Sequence, residues 1–181
     1  MNLICKSGTG SGGFYFYNST GNGSSFSTGK TLLTYIDNSG YMYNNRPAFR
    51  VYRSGGWSVS SGEAVTKGGT ISFERNPSGG SRYNSTNGIY TVPVAGVYTF
   101  NVYIRCADGA GSLTLKPYSS SSGFSIPNSD NSYWVPTDGG NRRTMSWSET
   151  LYMSANTDYY VVSGQATTIQ DFVFSGHFVS N

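Results

Sequence analysis

Charge is scarce in this chain: only 12% of its 181 residues are Asp, Glu, Lys or Arg, about half the share usual in soluble domains. The twelve basic residues are scattered, and only Arg142 and Arg143 are adjacent. A nucleic-acid surface needs a basic stripe with stacking aromatics beside it, so that class of partner is set aside. There are two cysteines, Cys5 and Cys106; they make no disulfide framework, and two free thiols are expected. With a single histidine, His177, a histidine-rich metal site lacks its parts, and no second candidate base is evident near it. No apolar run approaches the length of a membrane-spanning helix. The start, Met-Asn-Leu-Ile-Cys-Lys, has neither the basic leader nor the apolar stretch of a signal peptide, and synthesis and assembly in a cytoplasm are expected. Neither a Gly-x-y repeat nor a heptad pattern is present, and long helices are missing.

Glycine and aromatics are abundant instead: 24 glycines, 15 tyrosines and an aromatic share of 15%. That many aromatics argues against disorder, and short strands joined by Gly/Ser/Asn turns fit the composition. Two segments are the most informative. From Val97, the residues Tyr98, Phe100, Val102 and Ile104 alternate with Thr99, Asn101, Tyr103 and Arg105. Near the end, Phe172, Phe174 and Phe178 share one face with Gly176 between them. Period-two alternation marks strands with one buried face, and the glycine marks close backbone approach.

Residues 1–13 read as a Gly/Ser-rich arm. Phe14–Tyr17 is an aromatic run, Lys30–Ile36 a strand, Asp37–Gly40 a turn and Tyr41–Tyr43 a brief strand. Beyond Pro47, strands are expected near 48–53, 58–60, 70–75, 89–92, 97–106, 112–116, 144–153, 158–164 and 169–179. Ser119–Gly123 reads as a loop, and 124–143 as a long loop of the functional or interfacial kind. The domain division expected is an attachment segment over 1–46 and a globular domain over 47–181.

Pro47-Ala48-Phe49-Arg50-Val51, Tyr83-Asn84, Gly88-Ile89-Tyr90, Pro93-Val94-Ala95-Gly96-Val97-Tyr98-Thr99-Phe100, the hairpin of Leu151-Tyr152-Met153 with Asn156-Thr157-Asp158, and the closing Phe174-Ser175-Gly176-His177-Phe178 together resemble the globular head of complement component one-q. That family shares its jelly roll with the tumour necrosis factors. The resemblance implies an all-β, two-sheet antiparallel jelly-roll sandwich that assembles as a homotrimer. Tyr35-Ile36-Asp37-Asn38-Ser39-Gly40-Tyr41-Met42, leading into Arg46-Pro47-Ala48-Phe49-Arg50-Val51, is similar to bacteriophage virion proteins in which such a turn precedes this jelly roll.

The core is expected to hold Phe49, Val51, Tyr98, Phe100, Val102, Ile104, Trp147, Leu151, Phe172, Phe174 and Phe178. Apolar residues on both faces of the 97–106 strand suit a sheet that meets a neighbouring subunit, with Val97, Tyr103 and His177 as interface candidates. Protonation of His177 would then bear on assembly in mildly acidic solution. Exposed aromatics in loops stack on sugars or anchor protein contacts, which makes Trp57, Tyr133, Trp134, Arg142 and Arg143 the candidates for binding a ligand or partner. A tryptophan folded back over the domain is the competing reading for Trp57 and Trp134.

No catalytic, cofactor-binding or metal-binding residue is assigned. The nine carboxylates are dispersed without a calcium-loop pattern; calcium enters only because some relatives bind it, with Asp108 and Asp130 as the nearest guesses. Ser27-Thr28-Gly29-Lys30-Thr31 resembles the end of a phosphate-binding loop but lacks its glycine spacing and helix. The function expected is that of a non-enzymatic virion protein: a trimeric knob that decorates or cements a capsid, or forms a head fibre or tail-fibre tip, held to other virion proteins through the N-terminal segment. The alternatives are a carbohydrate- or host-receptor-binding module and, behind it, a secreted recognition protein of animal type. No nucleic acid and no membrane insertion are expected.

Overall fold

The computed structural model describes residues 2–6, 13–19, 30–37, 39–44, 46–77, 79–107, 113–119, 133–135 and 143–180. Among these every regular element is a strand, and the chain divides into two compact units, Met1–Arg46 with Arg75–Gly79, and Pro47–Glu74 with Gly80–Asn181.

The first unit is a four-stranded antiparallel sheet in chain order: β1 (Asn2–Lys6), β2 (Gly13–Ser19), β3 (Lys30–Asp37) and β4 (Met42–Asn44). The opening residues are thus an edge strand rather than an arm, because Asn2–Lys6 finds hydrogen-bond partners along Gly13–Tyr17. The β3–β4 turn is fixed by Asp37, whose Oδ1 accepts from the backbone N–H groups of Ser39 and Tyr41 at 2.9 Å each. Gly40 supplies the left-handed φ of 82° that the turn requires.

The second unit is a sandwich of two five-stranded antiparallel sheets. Its strands are β5 (Ala48–Val59), β6 (Thr70–Arg75), β7 (Tyr83–Asn84), β8 (Ile89–Thr91), β9 (Gly96–Cys106), β10 (Leu113–Ser119), β11 (Tyr133–Val135), β12 (Arg143–Met153), β13 (Asp158–Ser163) and β14 (Thr167–Ser180). One sheet runs β12-β9-β14-β5-β6 and the other β11-β10-β13-β8-β7. The strands expected at 48–53 and 58–60 are one. Gly55 and Gly56 suggest a turn, but their left-handed φ values of 105° and 70° let the strand bulge and stay paired with β14. The loop expected over 124–143 holds β11, which pairs with Leu113–Leu115; three residues are too few for a period to be read. The two-residue β7 escapes sequence reading for the same reason.

The core lies between the sheets and is largely aromatic. Phe49, Val51, Tyr98, Phe100, Val102, Ile104, Phe172 and Phe174 are each at most 2% exposed, and Trp147 is 8% exposed. Leu151 and Phe178 are half-buried against them. A bulge between Ile169 and Asp171 puts Ile169 and Phe172 on the same buried face despite their odd spacing. Phe100 is central: its ring stacks on Tyr159 at 3.8 Å and packs with Phe49, Phe174, Tyr98 and Tyr90 at 6.0–6.4 Å. Cys106 is a buried thiol in the same core. The Tyr98 hydroxyl donates to the Val94 carbonyl at 2.8 Å, and burial pushes its pKa up to about 12.

Gly176 is where this packing is tightest. A Cβ there would lie 2.7 Å from both Phe100 Cδ1 and Phe49 Cε1, closer than carbon atoms approach. Gly176→Ala should therefore destabilise the domain by about 1–3 kcal/mol through overpacking, read as a lower urea midpoint with an unchanged slope.

Candidate surface on the outer face of the β12-β9-β14-β5 sheet

Every inward-facing core residue leaves its chain neighbours on the opposite face of the sheet, and register lines these up in rows. One row carries Ser146, Tyr103, Val173 and Tyr52; the next carries Ser148, Asn101, Ser175 and Arg50; a third carries Thr150, Thr99, His177 and Ala48. At one end Tyr152 pairs with Val97, and at the other Arg105 pairs with Asp171 in register and by an ion pair. The Thr99 and Thr150 hydroxyls are hydrogen-bonded at 2.8 Å.

Small side chains on three adjacent strands leave a hollow in this face. It is an open depression of about 390 Å³ lined by Asn101, Val102, Tyr103, Ser146, Trp147, Ser148, Val173 and Ser175. Around it stand exposed or half-buried aromatics and aliphatics: Tyr103 (37% exposed), Tyr52 (45%), Tyr152 (64%), Val97 and Val173. Ion pair aside, Arg50 is the charged residue on these rows. A face of this kind, uncharged at its centre and dotted with tyrosines, shares those two features with protein contact surfaces. Val97, Tyr103 and His177 all lie on it, His177 exposed. The hollow itself was not anticipated, although the alternating serines of Met145-Ser146-Trp147-Ser148 carried the signal: small residues at consecutive outward positions of the strand.

The proposed binding residues are distributed differently. Trp57 does not belong to an exposed site: it is 8% exposed, its ring meets Phe172 edge-on at 5.6 Å, and the Arg53 guanidinium lies 4.2 Å above it. Burying a large apolar ring outweighs leaving it to solvent, and the two glycines before it provide the bend that turns it inward. Tyr133 and Trp134 contribute backbone to β11 and Arg143 to β12, while their side chains, and all of Arg142, lie outside the described residues. So do Asp108 and Asp130. Lys30 and Thr31, the end of the phosphate-loop-like motif, open a strand where that motif requires a helix. Among the described residues no cluster of three or more His, Cys, Asp or Glu side chains is present, and no helix is long and apolar enough to cross a membrane.

Glu149 is an inward-facing carboxylate that the sequence reading left among the dispersed acids. It pairs in register with Phe100 and accepts a hydrogen bond from the Tyr159 hydroxyl. Burial raises its pKa, and the tyrosine bond opposes that rise without cancelling it. The folded protein therefore holds this proton more tightly than the unfolded chain does. The sign follows: Glu149 costs stability at neutral pH, and the cost fades as pH falls through the raised pKa. Glu149→Gln keeps an acceptor for Tyr159 and removes the charge. Its melting temperature should exceed that of the parent at pH 7, with the gap closing on acidification.

No family model matches this chain, and no curated protein does. Solved structures do. The globular domain of zebrafish complement 1qA protein aligns with TM-score 0.59 at 20% identity, covering 75% of this chain and 99% of that one. Eiger TNF from S. frugiperda aligns with TM-score 0.53 at 13% identity, covering 75% and 95%. Murine APRIL aligns with TM-score 0.50 at 11% identity, covering 72% and 98%. The protein therefore has the jelly-roll fold of the complement one-q heads and the tumour necrosis factors. At these identities the likeness defines the fold alone, since one fold hosts many activities.

Proposed function

We propose that this chain is a non-enzymatic structural protein of a bacteriophage particle: a homotrimeric jelly-roll knob that decorates the virion, with the N-terminal sheet as its attachment segment. The observation that carries the trimer is the outer face of the β12-β9-β14-β5 sheet. Its centre is uncharged, its hollow is floored by Asn101, Ser146, Ser148 and Ser175, and its rim exposes Tyr103 and Tyr152. Hollow and protruding tyrosines on the same molecule suit a contact between copies that closes on itself by rotation. The particle setting is supported by the Tyr35–Met42 turn running directly into the Pro47 jelly roll and by the low charge of the chain.

Two measurements test this reading. Sedimentation velocity of the purified chain should give three protomers per particle; a single protomer would remove the knob. Mixed with bare capsids of its phage, the protein should bind saturably and raise the temperature at which the shell opens. Absence of both binding and stabilisation would remove the decoration role.

A further inference from the structure

The turn between β7 and β8 contains the pair Asn87-Gly88. Asparagine is among the thermolabile residues of proteins, and its labile step is intramolecular: the backbone nitrogen of the next residue attacks the side-chain Cγ. A following glycine shields that nitrogen least, because it carries no Cβ. In the folded chain both reacting groups are held. The Gly88 N–H donates to the Asn84 carbonyl at 2.8 Å, and Asn87 Oδ1 accepts from the Ile89 N–H at 3.2 Å. Asn84 also caps the turn, its Oδ1 accepting from the Thr86 N–H at 2.9 Å. The hold is thin, however. Residues 84–87 are all exposed and β7 is two residues long, so this turn belongs to the low-stability end of the structure.

We infer that Asn87 is a self-modification site gated by this turn: closed, the turn preserves the side-chain amide, and open, it lets the amide be lost as ammonia. On opening, the Gly88 nitrogen gives its proton to solvent base and bonds to Asn87 Cγ. The Cγ–Nδ2 bond breaks, the nitrogen leaves as ammonia with a proton taken from water, and a succinimide ring remains. Water then opens the ring at either carbonyl, giving aspartate or the isomer whose backbone runs through the former side chain. The isomer lengthens the chain by a methylene where there is no slack. Gly88 is buried at a left-handed φ of 75°, and its carbonyl accepts from the Thr66 hydroxyl at 2.7 Å. Even a Cβ on Gly88 would lie 2.7 Å from the Thr66 carbonyl carbon. Thr66 is itself fully buried, and its own carbonyl accepts from the Tyr83 hydroxyl. A longer link at 87 cannot keep Gly88 on both Asn84 and Thr66, so conversion loosens the seam between this turn and residues 64–69. None of this depends on the trimer or the particle.

The test is mass spectrometry of the full-length protein held in mildly alkaline buffer, with a parallel sample unfolded in urea. The tryptic peptide 83–105 is sequenced by fragmentation, and isoaspartate is detected by enzymatic methylation. The native chain should convert at Asn87 on the order of tenfold to a thousandfold more slowly than the unfolded one, the factor by which the turn is closed. Asn84→Ala removes the cap and should speed native conversion severalfold while leaving the unfolded rate as it was. Asn87→Gln, whose longer side chain disfavours the ring, should abolish the mass gain at this position. The converted fraction, separated by its added negative charge, should melt below the parent. Equal rates in the two states, native conversion that Asn84→Ala does not speed, or a native Asn87 that stays intact throughout would each overturn the inference, as would a converted fraction that melts with the parent.

Discussion

If the chain forms the proposed trimer through the outer face of the β12-β9-β14-β5 sheet, arginine in place of Ser175 should break it into single protomers. Ser175 lies on the floor of the hollow, in register with Asn101 on one side and Arg50 on the other. A long side chain there fills the space a neighbour would enter. Its guanidinium also adds a second positive charge beside Arg50, which an apposed surface must then bury unpaired. That burial costs about 3–5 kcal/mol, and each 1.4 kcal/mol is tenfold in affinity, so protomer affinity should fall by roughly a hundredfold or more. Sedimentation at matched concentration reads the result, and an unchanged far-ultraviolet spectrum and melting curve of the protomer show that the sandwich survives. Ser85→Arg, in the exposed turn between β7 and β8, should do nothing. A Ser175→Arg protein that remains trimeric would place the contact on another surface.

Phe100→Ala should have the largest effect on folding. Its ring is fully buried, lies against Tyr159 from the opposite sheet at 3.8 Å, and packs with Phe49 and Phe174 at 6.3 Å. Truncation leaves a cavity that stacked rings on both sides cannot collapse into, which places the cost at the usual range for a buried phenylalanine, about 3–5 kcal/mol. Domains are stable by only about 5–15 kcal/mol, so much of the margin goes. For a chain of this size the melting temperature should drop by roughly 6–20 °C. Gly176→Ala strains the same ring from the other side, so the two substitutions should not be additive: the smaller residue at 100 makes room for the methyl at 176, and the double variant should lose less than the sum.

Much of the sandwich was legible because burial imposes a period on a strand. β9 alternates buried and open positions almost without exception from Gly96 to Cys106, so its inward residues could be named from spacing alone. β6 and β13 likewise fall at or within a residue of the strands expected at 70–75 and 158–164. Legibility fails where a signal is local and its meaning is not. Gly55-Gly56 reads as a turn until β14 pairs across it. Trp57, next to that pair, reads as a loop aromatic until the strand carries it under Phe172. Asn2–Lys6 reads as an arm because its strand character comes from the partner at Gly13–Tyr17 and not from its own five residues.

The candidate surface divides along the same line. That Val97, Tyr103 and His177 face away from Tyr98, Phe100 and Phe174 follows from alternation in single strands, which the backbone enforces wherever a chain is extended. That Ser146, Asn101 and Ser175, distant in sequence, floor one hollow is a matter of register among β12, β9 and β14, fixed by which strands become neighbours. The same holds for Glu149, an unremarked acid in sequence that becomes a half-buried one once Tyr159 lies across from it. Sequence by itself determined the strands, their greasy sides and the family of folds they could close into. Only the tertiary structure decided which small side chains would share a hollow and which charge would lose its water, because both depend on contacts between strands that no single strand contains.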